Sequence, residues 1–293
     1  MPYKYKDIWH QRMRELEKFQ RDRKRAESTI RIYKQTLQRF WKILGEPNSP
    51  HDVPLETYRS IEKGLEKAGY MQNTIVGYLS KLHYFLKFAG YEKVSELFIV
   101  AENHPKENRV FLKKEEVASV REIAHNLGTK YELVYSLAVD NSLRRGDMRN
   151  ITLEEAESLL NTRISYITQK GGRRRKLVLH KRTIPLLREF MREREEKLSK
   201  KGVTAEPYLF VNFSSGKRTT TNTIYSWIVK ISNIAGIYFR PHDLRATFVR
   251  LHSQNGKSIQ TIRSLAGHKS INTTLYYYCG TDIDAMMDAQ DDL

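Results

Sequence analysis

LAGHKSINTTLYYYCG, residues 265–280, places three adjacent tyrosines on a segment with helical spacing. At about 100° per residue, Ile271, Leu275 and Tyr278 fall on one narrow arc. That spacing predicts a helix that buries Tyr278 and projects Tyr276 and Tyr277 from either side, so periodicity leaves two phenols as candidates for chemistry. Just upstream, SIQTIRSLAG predicts another helix ended at Gly267, and helices are expected from Thr221 onward.

Working outward, ISYIT (164–168) and KLVLH (176–180) flank QKGGRRR and predict a β-hairpin, with YLFVN (208–212) as a possible third strand. LKKEEVASVREIAHNLG (112–128) and TKYELVYSLAVDNSL (129–143) predict two helices. AENHPKENRV (101–110) is polar, aperiodic and carries a proline, as an interdomain connection does. Upstream of it, STIRIYKQTLQRFWKILG (28–45) buries Ile30, Tyr33, Leu37, Phe40, Trp41 and Leu44 on one face. Its pattern T-I-x-x-Y-x-x-x-L-x-x-F recurs at 74–85, and Leu55 to Ala68 supplies a third helix. Two copies predict two helices that each bury one stripe, not a solenoid. The fold expected is mainly α with a small β-sheet: an all-α domain over 1–103, a linker over 104–110, and an α+β domain over 111–293.

The chain has 293 residues, enough for two cores, with 51 Lys and Arg against 34 Asp and Glu for a formal charge of +17. Such an excess favours a polyanionic partner, because each neutralised phosphate releases condensed counterions. Residues 1–50 hold thirteen Lys or Arg against six Asp or Glu, whereas GTDIDAMMDAQDDL at 280–293 has no cation. One surface facing nucleic acid and a tail repelled by it would account for that polarity. A single cysteine, Cys279, rules out an intramolecular disulfide framework, and the composition, without a membrane-spanning run or signal-peptide pattern, predicts a soluble cytoplasmic protein.

No paired Cys/His cluster or H-E-x-x-H helix suggests a metal site, and phosphate-cradling glycine motifs are missing. Cations and hydrogen-bond donors stand instead in short segments: Arg144 in SLRRGD, Lys170 in TQKGG, His242 and Arg245 in HDLR, His268 in LAGHKS. Taken singly, each has an ordinary explanation as a solvated helix charge, a turn lysine, one turn of a helix surface or a helix cap. Together they are the groups needed to neutralise a phosphate without a metal.

In this order the segments resemble the tyrosine recombinase, or phage integrase, family. Its pattern is an arginine with an acidic residue three further on, a lysine in a β-hairpin, H-x-x-R, then L-G-H with a tyrosine nine residues later. Counting nine from His268 reaches Tyr277, which the resemblance makes the nucleophile. Ser142 stands where the family pattern has glycine, Asp147 where glutamate is commoner, and Arg145 doubles the arginine. The resemblance covers most of the chain: the two T-I-x-x-Y helices look like the family's SAM-like core-binding domain, and the rest like its catalytic domain.

What the resemblance implies is cleavage and rejoining of DNA through a 3′-phosphotyrosine ester, with neither metal nor ATP and no cofactor. Arg144 and Arg245 would clamp the non-bridging oxygens, whose bidentate geometry lysine cannot reproduce. His242 and His268 would add hydrogen bonds, Lys170 would protonate the departing 5′-hydroxyl, and Asp147 would orient Arg144. Double-stranded DNA bearing a specific recombination site is the implied partner, engaged by a homotetramer passing through a Holliday junction. Arg23, Lys24 and Arg25 in the first domain and Arg173, Arg174, Arg175 and Lys176 at the hairpin are further candidates for phosphate contacts. In relatives the C-terminal segment packs on a neighbouring protomer, and Ala285, Met286 and Met287 offer apolar groups for that. Two rivals are a type IB topoisomerase, expected to be longer, and a non-catalytic DNA-binding regulator, expected to lack at least one of these groups.

Overall fold

Helices α1 (Ile8–Asp22), α2 (Glu27–Ile43), α3 (Leu55–Lys67) and α4 (Gln72–Phe88) build the first of two units, Met1–Glu107 and Asn108–Leu293, into which the chain divides. The computed structural model describes residues 7–91, 93, 110–169, 172, 174–268, 270, 271, 274 and 275. Apart from Val110, the expected linker at 104–110 lies outside the described residues, as do Lys170, Arg173, the three tyrosines and the tail.

The repeated pattern buries the same positions in both copies: Ile30, Leu37 and Phe40 on α2, and Ile75, Leu82 and Phe85 on α4, none more than 2% exposed. Its tyrosines lie at the margin of this core, with Tyr78 edge-on to Phe40 and Tyr33 edge-on to Tyr84. The sequence reading assigned no helix to α1, because most of its residues are polar. Its apolar spacing is nonetheless helical. Trp9, Met13 and Leu16 are buried at intervals of four and three, and the Trp9 ring sits 5.0 Å from that of Phe85. Asp7 caps α1 by accepting the His10 N–H.

The second unit runs α5 (Lys114–Asn126), α6 (Thr129–Val139), α7 (Arg145–Asn150), α8 (Leu153–Thr162), β1 (Ile164–Thr168), β2 (Arg174–Val178), α9 (Thr183–Lys200), α10 (Thr221–Ala235), α11 (Pro241–Gln254) and α12 (Ile259–Ala266). Every residue of α6 from Leu133 to Val139 is buried, and α5, α9, α10 and α11 pack around it. A helix apolar on all sides belongs at the centre of a core.

Strands β1 and β2 pair antiparallel with Ile164 opposite Val178 and Ile167 opposite Arg175. Compared with the expected 176–180, β2 begins two residues earlier. The Leu179 N–H still reaches the Arg163 carbonyl in register at 2.7 Å, but the pairing ends there because Arg163, at φ 63°, leaves the extended conformation to cap α8. The suggested third strand at 208–212 is not one. Leu209 and Phe210 are both fully buried with no alternation, and the segment makes only the single bridges Thr152 to Tyr208 and Val211 to Arg218.

The expected stripe on the last segment is also corrected. Ile271 is half-buried, but Leu275 is 38% exposed and Thr274 is fully buried. The inward position is the threonine, because its hydroxyl has a partner there: His268 Nδ1 lies 2.9 Å from Thr274 Oγ1. Tyr278 lies outside the described residues.

Candidate active site

The turn after α6 is built before it carries any chemistry. Asp140, at the end of α6, pairs with Arg121 at 2.8 Å, and the Asn141 amide donates to the Ser136 carbonyl and to Thr183 Oγ1. Asn141 Oδ1 accepts the His180 N–H at 2.7 Å, and the Leu143 N–H returns to the Leu137 carbonyl. Between them Ser142 adopts φ 53°, the left-handed region that glycine occupies freely, which explains why the family pattern has glycine here. The serine is fully buried and its hydroxyl has no partner among the described residues.

This turn delivers Arg144 to the N-terminus of α7, in extended backbone. Arg144 and Arg145 then separate. Arg145 lies over the Tyr225 ring at 5.7 Å, while Arg144 Nη1 stands 3.8 Å from Asp147 Oδ2, which also receives the Arg144 N–H at 3.4 Å. Asp147 is 2% exposed, and Gln169 Nε2 donates to it at 3.4 Å.

Helix α11 opens on Pro241, whose fixed φ suits a first helical position, and Asp243 accepts the Arg240 N–H at 2.8 Å. His242 and Arg245 are three positions apart, so they share one side of the first turn. His242 is exposed; Arg245 is 2% exposed. Its guanidinium donates to the Ser142 carbonyl and, at 2.5 Å, to the Ala266 carbonyl, joining α11 to both the 141–144 turn and the end of α12.

Helix α12 ends in a Schellman motif: Gly267 at φ 63° donates to the Ser264 carbonyl and His268 to that of Arg263. Glycine is required twice over here, by that φ and by the Arg175 side chain, which occupies the place a Cβ would take. His268 follows, 6% exposed. Burial, and then the charges of Arg245, Arg144 and Arg175, push its pKa down to about 3. The His242 pKa is also lowered, first by desolvation and then by Arg245, Arg144 and Arg145. Two neutral imidazoles beside a cluster of guanidiniums are donors and acceptors waiting for an anion, which would reverse the electrostatic penalty on each ring.

The structure thus brings together Arg144, Asp147, His242, Arg245 and His268 from α7, α11 and the end of α12. Lys170, Arg173 and Tyr277 lie outside the described residues. Arg174 and Lys176 project outward from β2, Arg174 over the exposed Tyr166 ring, and Arg23, Lys24 and Arg25 are exposed where α1 passes to α2. Arg175 is a correction. It had been grouped with the hairpin cations that reach for phosphate, but it points inward at 6% exposure because alternation along β2 places it on the buried face with Leu177. Sequence reasoning missed its role; the signal was its place two residues before Leu177 in a strand whose apolar residues alternate. Among the described residues no group of three His, Cys, Asp or Glu side chains could hold a metal ion, and no helix is long and apolar enough to cross a membrane.

Residues 110–282 match the phage integrase family, and residues 16–93 match the phage integrase N-terminal SAM-like domain. Tyrosine recombinase XerA of Pyrococcus furiosus is 27% identical over 255 residues, covering 86% of this chain and 84% of that protein. Tyrosine recombinase XerC of Bacillus subtilis is 24% identical over 278 residues, covering 89% of each. The fold is similar to that of a chain in the crystal structure of a lambda integrase tetramer bound to a Holliday junction, at TM-score 0.69 and 18% identity over 92% of this chain and 76% of that one. With matches to both of its domains spanning most of the sequence, the chain belongs to the phage integrase family of tyrosine recombinases.

Proposed function

We propose that this chain is a site-specific DNA recombinase that cuts and rejoins strands through a phosphotyrosine at Tyr277. One observation carries the proposal: Arg144, Arg245, His242 and His268, dispersed over more than a hundred residues, stand close enough that both arginines perturb both imidazoles. A phosphodiester resists attack because its anionic oxygens repel a nucleophile and accumulate charge as the pentacovalent transition state forms. Fixed guanidiniums answer that charge without reorganising. Thr274 faces His268, which brings the segment leading to the tyrosines up to the cluster.

In this reading Arg144 and Arg245 clamp the phosphate, His242 and His268 complete its hydrogen bonds, Lys170 protonates the leaving 5′-hydroxyl, and Asp147 holds Arg144. The phosphotyrosine keeps the energy of the broken bond, so a second strand's 5′-hydroxyl religates it without ATP. The partner is a duplex carrying the recombination site, and the lambda integrase tetramer on a Holliday junction supports the same assembly here. Incubation with a nicked suicide duplex bearing the site should yield a DNA-linked protein band on a denaturing gel. Tyr277→Phe should abolish the band and EDTA should leave it intact. A band that survives in Tyr277→Phe and disappears in Tyr276→Phe would overturn the assignment of the nucleophile.

A further inference from the structure

Arg175 is the one buried arginine at this site that the phosphate chemistry leaves without a task. Its position on β2 faces the core, in line with Leu177, and its antiparallel partner Ile167 is fully buried. An apolar side chain would pack there at no electrostatic cost, whereas burying a guanidinium costs several kcal/mol unless its protons are satisfied. Burial lowers its pKa to about 10 in spite of the nearby Asp147 carboxylate. Something specific must hold it.

What holds it is the same frame that holds Arg245. Arg175 donates to the Asn141 and Ser142 carbonyls, each at 3.5 Å, and to the Leu265 carbonyl. Arg245 donates to the Ser142 and Ala266 carbonyls. Two guanidiniums, one from β2 and one from α11, therefore bridge the turn before Arg144 to the last residues of α12 side by side. Arg175 Nη1 also stands 3.8 Å from Asp147 Oδ2, as far as Arg144 Nη1 does, so one carboxylate oxygen faces both arginines. Its stem packs against Gly267, immediately before His268.

We propose that Arg175 is a positioning residue for the phosphate clamp: it fixes the turn that presents Arg144, the carbonyls that aim Arg245 and the helix end that carries His268, without itself touching the phosphate. This rests on the reading of Arg144 and Arg245 as the clamp. Lysine keeps the charge but cannot fork onto three carbonyls, so Arg175→Lys is the informative variant and Arg175→Met its uncharged companion.

The test is single-turnover cleavage of the nicked suicide duplex by the full chain, with duplex affinity and melting temperature measured in parallel. A misplacement of about 1 Å is expected to slow cleavage about 100-fold in Arg175→Lys while duplex affinity changes by less than about threefold. The decisive arm uses a duplex whose scissile phosphate carries a methyl group in place of one non-bridging oxygen. That neutral group needs less charge compensation, so the deficit of Arg175→Lys relative to the unmodified protein should shrink to about tenfold or less. A general loss of stability would slow both substrates alike, and that result overturns the inference. Should Arg175→Met fail to fold, Arg175→Lys carries the comparison alone. Arg144→Ala is the control. If its deficit shrinks on the neutral substrate and that of Arg175→Lys does not, only the role of Arg175 falls; if Arg144→Ala is not relieved either, the clamp reading itself is wrong.

Discussion

Ser142 holds a backbone conformation that suits glycine and a hydroxyl with no partner among the described residues, yet its carbonyl is gripped by two arginines. Left-handed backbone costs a non-glycine residue about 1–2 kcal/mol and glycine's greater unfolded-state entropy offsets roughly half of that, so Ser142→Gly should raise stability in urea unfolding by about 0.5–1 kcal/mol. His268 makes a second prediction at this scale. With its folded pKa near 3 and an ordinary value near 6.5 when unfolded, the unfolded chain binds the extra proton between those limits. Stability of the DNA-free protein should therefore fall as pH drops from about 6.5 towards 3, and His268→Gln should flatten that part of the profile in chemical denaturation. Neither the strain at 142 nor the desolvation at 268 was legible in the sequence. Residue types there pointed to a phosphate, but burial and φ are properties of the packed turn.

Elements whose spacing was strong were legible and those governed by a single polar contact were not. The T-I-x-x-Y repeat placed α2 and α4 because every pattern position is an apolar contact. The hairpin was found but β2 was read two residues late, since Arg174 and Arg175 look like turn residues until the Tyr166 carbonyl accepts from Arg174 and the Asn141, Ser142 and Leu265 carbonyls accept from Arg175. Likewise Leu275 took the inward place that Thr274 occupies, because periodicity cannot see a hydrogen bond to His268. Helix α1 went unread for its polarity, although its buried face is as regular as the others. Trp9→Ala should accordingly cost about 3–5 kcal/mol in unfolding of the first unit. At the end of α12, Gly267→Ala meets both a left-handed φ and the Arg175 side chain. It should lower the melting temperature and slow strand cleavage together, because the displaced groups are the ones that frame His268.

Across the whole molecule, charge and composition foretold a polyanionic partner and two cores, and the family resemblance supplied the order of the site; how the site's groups converge needed the fold. Thirteen cations in the first fifty residues make the first unit the place to look for sequence-independent phosphate contacts. Changing Arg23, Lys24 and Arg25 together to alanine should weaken duplex binding and reduce the slope of log affinity against log salt by about 1–3, with the single-turnover cleavage rate at saturating duplex little altered. An unchanged slope in a salt titration would place the contacts elsewhere. The paired grip on main-chain oxygens at 141, 142, 265 and 266 has a consequence for how such proteins diverge. Every amino acid brings a carbonyl, so that grip is blind to which residue occupies those positions, but inserting or deleting a single residue would carry the oxygens out of reach. When distant homologues are aligned, gaps should be rare there.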